Sequence, residues 1–144
     1  MIAVDTQILV YAHRAESTHH ARARAAIVSL AEGRAEWVLP AQVLHEFFGI
    51  VTHPKIYDPP STVAQAWQQI HAWLASPSVV VVGEGPRHFE TLERLVRAHG
   101  VRGPRVHDAR IAAICLDHGV RELWTADRDF SKFSSLRARN PLRP

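Results

Sequence analysis

The chain has 144 residues, 47% hydrophobic and 22% charged, which fits one globular domain with a substantial core and excludes a disordered or low-complexity chain. No apolar run approaches the roughly 20 residues that cross a bilayer, and no basic stretch precedes an apolar N-terminal segment, so a cytoplasmic protein without membrane attachment is expected. The formal charge of +3, from 17 Lys and Arg against 14 Asp and Glu, is only a weak pointer to a polyanionic partner.

Residues 2–4 form a short apolar run that reads as a strand closed by Asp5, and residues 6–12 read as a helix. A second helix is expected from about His19 to Glu32, stopped by Gly33. Trp37 to Leu39 is the next strand, and residues 41–51 make a helix whose Val43, Leu44, Phe47, Phe48 and Val51 give a broad apolar face. After a turn-rich loop over residues 54–60, Ser61 is placed to cap a helix running to about Leu74, with Ala64, Trp67, Ile70 and Leu74 as its stripe. Trp67 and Trp73 lie six positions apart, so they cannot both face the core, and Trp73 is assigned to a surface. Four consecutive valines, residues 79–82, read as a strand buried on both faces and therefore parallel and central. Pro86 is expected to begin a helix with Phe89, Leu92, Leu95 and Val96 on one stripe, closed by Gly100. The loop over residues 102–105 leads to a helix opened by Asp108 and ended by Gly119, then a strand at residues 123–125, the Asp127 loop and a final edge strand at 136–139.

Short strands alternating with longer helices imply an α/β fold. The expected arrangement is a three-layer α/β/α sandwich whose mainly parallel sheet of four to five strands is covered by helices on both faces, one domain over residues 1–144. In such sheets the working site lies beyond the carboxyl ends of the strands, where Asp5 and Asp127 fall. Glu46 sits between Val43 and Ile50 on a helical wheel, and Asp108 shares a side with Ile111, Ala112 and Cys115, so both acids point toward the body of the protein.

A cluster of such carboxylates repels itself unless its members are protonated or meet a cation. Oxygen-only ligation suits Mg2+ or Mn2+, and such an ion can activate water for attack at phosphorus. Each acid also has an ordinary structural reading: Asp5 and Asp108 as helix-start residues, Glu46 as a rim residue, Asp127 and Asp129 as turn acids. Thr6 and Thr125 either support the acids or serve local capping and strand packing. Arg102, Arg105, Arg110 and Arg128 either contact phosphate or form a solvated face. His107 is given a structural role and Cys115 a core one. The start of a zinc-protease helix at His45-Glu46 fails because Gly49 stands where the second histidine belongs.

Four motifs occur in order: Asp5-Thr6 after an N-terminal strand, Glu46 in a mid-chain helix, Gly103-x-x-x-His107-Asp108-Ala109-x-Ile111-Ala112-Ala113, and Thr125-Ala-Asp127-x-Asp129-Phe130. Together with the closing Asn140-Pro-Leu142, they resemble the PIN-domain ribonucleases over nearly the whole chain, and within them the VapC toxins of bacterial toxin–antitoxin pairs. The resemblance implies a Mg2+- or Mn2+-dependent endoribonuclease with Asp5, Glu46, Asp108 and Asp127 as catalytic metal-binding acids and Asp129 as a fifth. It also implies cleavage of structured RNA such as tRNA or rRNA, a VapB-type antitoxin that covers the site, and a homodimer. Trp73 then becomes a candidate for the dimer or antitoxin surface. Gln7 departs from the Asn or small residue common at its position in the family. Two rival readings are a catalytically silent RNA-binding or interaction module of the same fold, and a haloacid-dehalogenase-like phosphatase. The phosphatase lacks its second Asp, because that position is Gln7.

Overall fold

A computed structural model describes residues 1–144. The elements run β1 (Ile2–Val4), α1 (Thr6–His13), α2 (His20–Ala31), β2 (Trp37–Pro40), α3 (Ala41–Val51), α4 (Val63–Leu74), β3 (Val79–Val82), α5 (His88–His99), α6 (Val106–Asp117), β4 (Glu122–Trp124) and β5 (Arg137–Arg139). Two 3-10 turns, Gly103–Arg105 and Arg128–Lys132, precede α6 and follow β4. All strand pairs are parallel, in the order β3-β2-β1-β4-β5. Helices cover both faces, the three-layer α/β arrangement that crossover connections require. Strands β2 and β3 step to one side of β1 and β4 and β5 to the other, so the order reverses between β1 and β4. Asp5 and Asp127 leave the sheet at that reversal, where a crevice opens in folds of this kind.

The central strands are short apolar runs: Ala3, Val4, Trp37, Val38, Leu39 and Leu123 are fully buried. Phe47, Phe130 and Phe133 complete the bulky part of the core. No helix is long and apolar enough to cross a membrane.

Five sequence expectations need correction. The valine strand β3 is parallel but lies at the sheet edge, with Val81 45% exposed. Parallel strands read as continuous apolar runs wherever helices cover them, so the run does not report position in the sheet. Thr62, not Ser61, caps α4: its hydroxyl accepts the Gln65 N–H at 3.1 Å while Gln65 Oε1 accepts the Thr62 N–H at 2.9 Å. Ser61 is buried and its hydroxyl is 2.9 Å from His13 Nε2. Helix α4 buries Ala66, Ile70 and Trp73, leaving Trp67 48% exposed, so Trp73 is a core residue packed edge-on against Phe47 and not a surface one. Helix α5 starts at His88 rather than Pro86, burying His88, Thr91 and Leu95 while Phe89 stays exposed. Finally, Asp108 lies in the first turn of α6 but does not open it; Val106 does, continuing directly from the 3-10 turn. Gly100 and Gly119 end their helices at positive φ, 60° and 72°, where a Cβ is disfavoured.

Candidate active site

Asp5 is fixed by the sheet. Its backbone N–H donates to Trp124 O at 2.9 Å, joining the ends of β1 and β4, and only 8% of the residue is exposed. Its Oδ1 accepts the Thr6 N–H at 2.8 Å, the capping bond of α1, and its Oδ2 accepts the Thr125 hydroxyl at 2.7 Å. The Thr125 oxygen in turn accepts the Asp127 N–H at 3.0 Å, so one buried hydroxyl holds two acids in register. The Thr6 hydroxyl donates to Glu46 Oε2 at 2.7 Å, and Gln42 Nε2 donates to Glu46 Oε1 at 2.7 Å. The capping reading of Asp5 is therefore correct but incomplete; the Thr125 hydroxyl holds an acid and backbone, while the Thr6 hydroxyl holds Glu46 and caps no backbone group.

Asp5, Glu46, Asp108 and Asp127 line one cavity of about 390 Å3, together with Thr6 and Tyr11. Two larger clefts exist, of about 500 and 470 Å3. Neither gathers carboxylates, and in the larger one His13 and Arg14 are tied to Ser61, so chemistry rather than size marks the site. Burial, opposed by the Thr125 and Thr6 hydrogen bonds and assisted by Glu46 and Asp108, pushes the Asp5 carboxyl up to about 6. Burial also raises Asp108, helped by Asp127 and opposed by Arg105. In both, the ionised form is disfavoured first by burial and then by the neighbouring carboxylates. As arranged, no three His, Cys, Asp or Glu side chains gather closely enough to chelate one ion. The fit to a divalent cation is one of charge and donor type: four carboxylates from four segments, with no competing nitrogen or sulfur.

The remaining candidates are distributed around this cavity. Asp129 stands outside its lining, in an ion pair with Arg105, while its N–H caps Asp127 Oδ1 at 2.8 Å. Arg110 pairs with Glu84. Arg102, Arg128 and His107 are exposed, so His107 is a surface residue rather than a packed one. Cys115 is buried, with its thiol pushed up to about 12 chiefly by burial and then by Asp5, which makes it inert. Sequence reasoning missed Gln42 and Tyr11. Gln42 precedes Glu46 by four positions, the spacing that puts two side chains on one helix face, and that signal was available. Its Oε1 is buried without a partner.

Residues 2–136 match the family model of the PIN domain. Over 142 residues the chain is 36% identical to the VapC ribonuclease Mb2897 of Mycobacterium bovis, spanning 99% of this chain and 96% of the relative. Ribonuclease VapC48 of Mycobacterium tuberculosis is 30% identical over 138 residues, 96% of this chain and 95% of the relative. Among solved structures, Mycobacterium tuberculosis VapC20, described as a sarcin–ricin loop cleaving toxin, aligns with a TM-score of 0.68 at 20% identity over 91% of this chain and 93% of its own. VapBC2 of Rickettsia felis, bound to a DNA fragment from its promoter, aligns with a TM-score of 0.69 at 19% identity over 97% and 98%. At those identities the two structures carry the fold alone. The chain belongs to the PIN-domain family, in its VapC ribonuclease branch. That membership sets the phosphatase reading aside.

Proposed function

We propose that this chain, acting as one domain over residues 1–144, is a divalent-metal-dependent endoribonuclease and the toxin of a VapBC-type pair. The observation that carries the reading is the convergence of Asp5, Glu46, Asp108 and Asp127 on one cavity where Asp5 is driven up to about 6. These four would hold Mg2+ or Mn2+, with Asp129 as a fifth acid at the rim. When bound, the ion supplies charge compensation for the phosphodiester and lowers the pKa of the attacking water. The residues of the chain supply position. The Thr125 and Thr6 hydroxyls hold Asp5 and Glu46 through one lone pair on each bonded oxygen, so carboxylate acceptor capacity remains for a cation. Gln42 fixes the second Glu46 oxygen from the same helix.

The substrate class follows from family membership: structured RNA such as tRNA or rRNA, cut to leave a 5′-phosphate and a 3′-hydroxyl. A VapB-type antitoxin covering the cleft, a homodimer and a cytoplasmic location complete the proposal. Its test is digestion of total RNA by antitoxin-free protein in Mg2+ or Mn2+ and in chelator. Discrete fragments with 5′-phosphate ends are expected with metal only. Equal cleavage in chelator overturns the metal role, and an intact RNA population in both metals favours the silent RNA-binding module.

A further inference from the structure

Of the arginines near the acidic cleft, Arg105 and Arg110 are spent on Asp129 and Glu84. Arg128, Arg139 and Arg143 are not held in this way, the one ion pair among them being Arg139 with Glu122 at 3.6 Å. A second cavity of about 470 Å3 shares Ala126 and Asp127 with the acidic one and is lined by Arg128, Arg139 and Arg143. Its volume falls within the roughly 300–1,000 Å3 range of small-ligand sites. The catalytic cavity thus carries four carboxylates, and its neighbour carries three guanidinium groups around the one shared acid.

The fold places these groups deliberately. The Thr125 N–H donates to Arg139 O at 2.9 Å, so the residue that holds Asp5 also fixes the β5 backbone beside the site. The Arg139 side chain is 59% exposed, only loosely paired with Glu122 at 3.6 Å, and its guanidinium lies 5.9 Å from the Trp124 ring. Asn140 Oδ1 accepts the Leu142 N–H at 2.9 Å, and Leu142 is buried, which anchors the tail that carries Arg143. The Asn140 side-chain N–H groups stay free to donate, and the Ser131 hydroxyl lies on the same lining.

We propose that this arginine cavity is the subsite for the nucleotide flanking the cleaved bond, taking its phosphate on Arg128, Arg139 and Arg143. The proposal rests on the ribonuclease reading. A polynucleotide that delivers one phosphodiester to the acids must place the next phosphate one nucleotide away, and an adjoining basic cavity receives it without crossing the carboxylates. Planar guanidinium groups engage phosphate through two parallel hydrogen bonds, which fixes the register of the strand as well as its affinity.

The test uses an RNA oligonucleotide identified from the fragments of the total-RNA digest, with kcat and KM measured over a range of salt. Arg139→Gln/Arg143→Gln is expected to raise KM about tenfold or more with kcat within about twofold, and to lower the salt slope of log kcat/KM by roughly one to two. Arg94→Gln/Arg97→Gln, the same charge change on the remote helix α5, is expected to leave KM and slope unchanged. Unchanged KM and slope in the first variant overturn the subsite, as does a fall in kcat at constant KM. Unchanged KM with weakened inhibition by an antitoxin peptide reassigns the cavity to the protein partner. A wild-type protein that leaves all RNA intact sinks the nuclease reading and the subsite with it.

Discussion

Asp5→Asn is expected to remove RNA cleavage by on the order of 10^3 or more, and at the same time to stabilise the metal-free protein at neutral pH. The loss follows because an amide at this position cannot bring charge to a divalent cation. The gain follows from linkage. Burial moves the Asp5 carboxyl from 3.8 to about 6, so between those pH values the native state holds a proton that the unfolded chain has released. Stability from this group is therefore complete below about pH 4 and is lost as pH rises through about 6. The shift corresponds to roughly 3 kcal/mol, and weaker hydrogen bonding of an amide to Thr6 and Thr125 offsets about 1 kcal/mol of what the substitution recovers. Urea unfolding in chelator at pH 4 and pH 7 measures it. The variant should lie at or slightly below wild type at the lower pH and exceed it by about 2 kcal/mol at the higher. Adding Mg2+ should then raise the wild type alone. Equal stability at both pH values, or cleavage retained, contradicts the assignment of Asp5.

The largest stability effect is expected at Phe47. Its ring is fully buried, edge-on to Trp73 with centroids 4.8 Å apart and edge-on to His13 at 5.3 Å. Phe47→Ala removes the ring where α1, α3 and α4 meet and should cost about 3–5 kcal/mol, a large part of the 5–15 kcal/mol typical of a domain. The urea midpoint should fall at an unchanged slope. Phe47→Leu keeps most of the volume and should cost roughly half as much. A loss below about 1 kcal/mol for the alanine variant would mean that the three helices do not meet on this ring.

The acidic set was legible because each member is marked locally. Asp5 follows a short apolar strand, Glu46 and Asp108 sit on apolar helix faces, and Asp127 follows β4, so chain order and helical phase turned these acids toward the body of the protein, while the family resemblance grouped them as one metal site. The parallel sheet was legible too, from short apolar runs separated by helices. The edge position of β3 was not, because pairing partners are a property of the whole sheet and Val79–Val82 reads alike at either place. The phase of α4 was not legible because two apolar stripes share Ile70: Ala64, Trp67, Ile70 and Leu74 keep the three-to-four spacing, and so do Ala66, Ile70 and Trp73, the set that the fold buries. The engagement of Arg105 with Asp129 and of Arg110 with Glu84 spans 24 and 26 positions, beyond any local pattern. The support given to Glu46 by Gln42 lay within reach of helical spacing and was passed over.

The central claim, that the acidic cavity is the catalytic centre of a metal-dependent ribonuclease, is tested most directly by wild-type and Asp108→Asn protein acting side by side on total RNA in Mg2+. Asp108 is only partly buried and accepts no hydrogen bond from the chain, so its amide should leave the fold intact, as a thermal melt in chelator checks. Discrete fragments from the wild type and none from the folded variant are expected. Fragmentation by Asp108→Asn at the wild-type rate would contradict the account and place the chemistry elsewhere on the molecule.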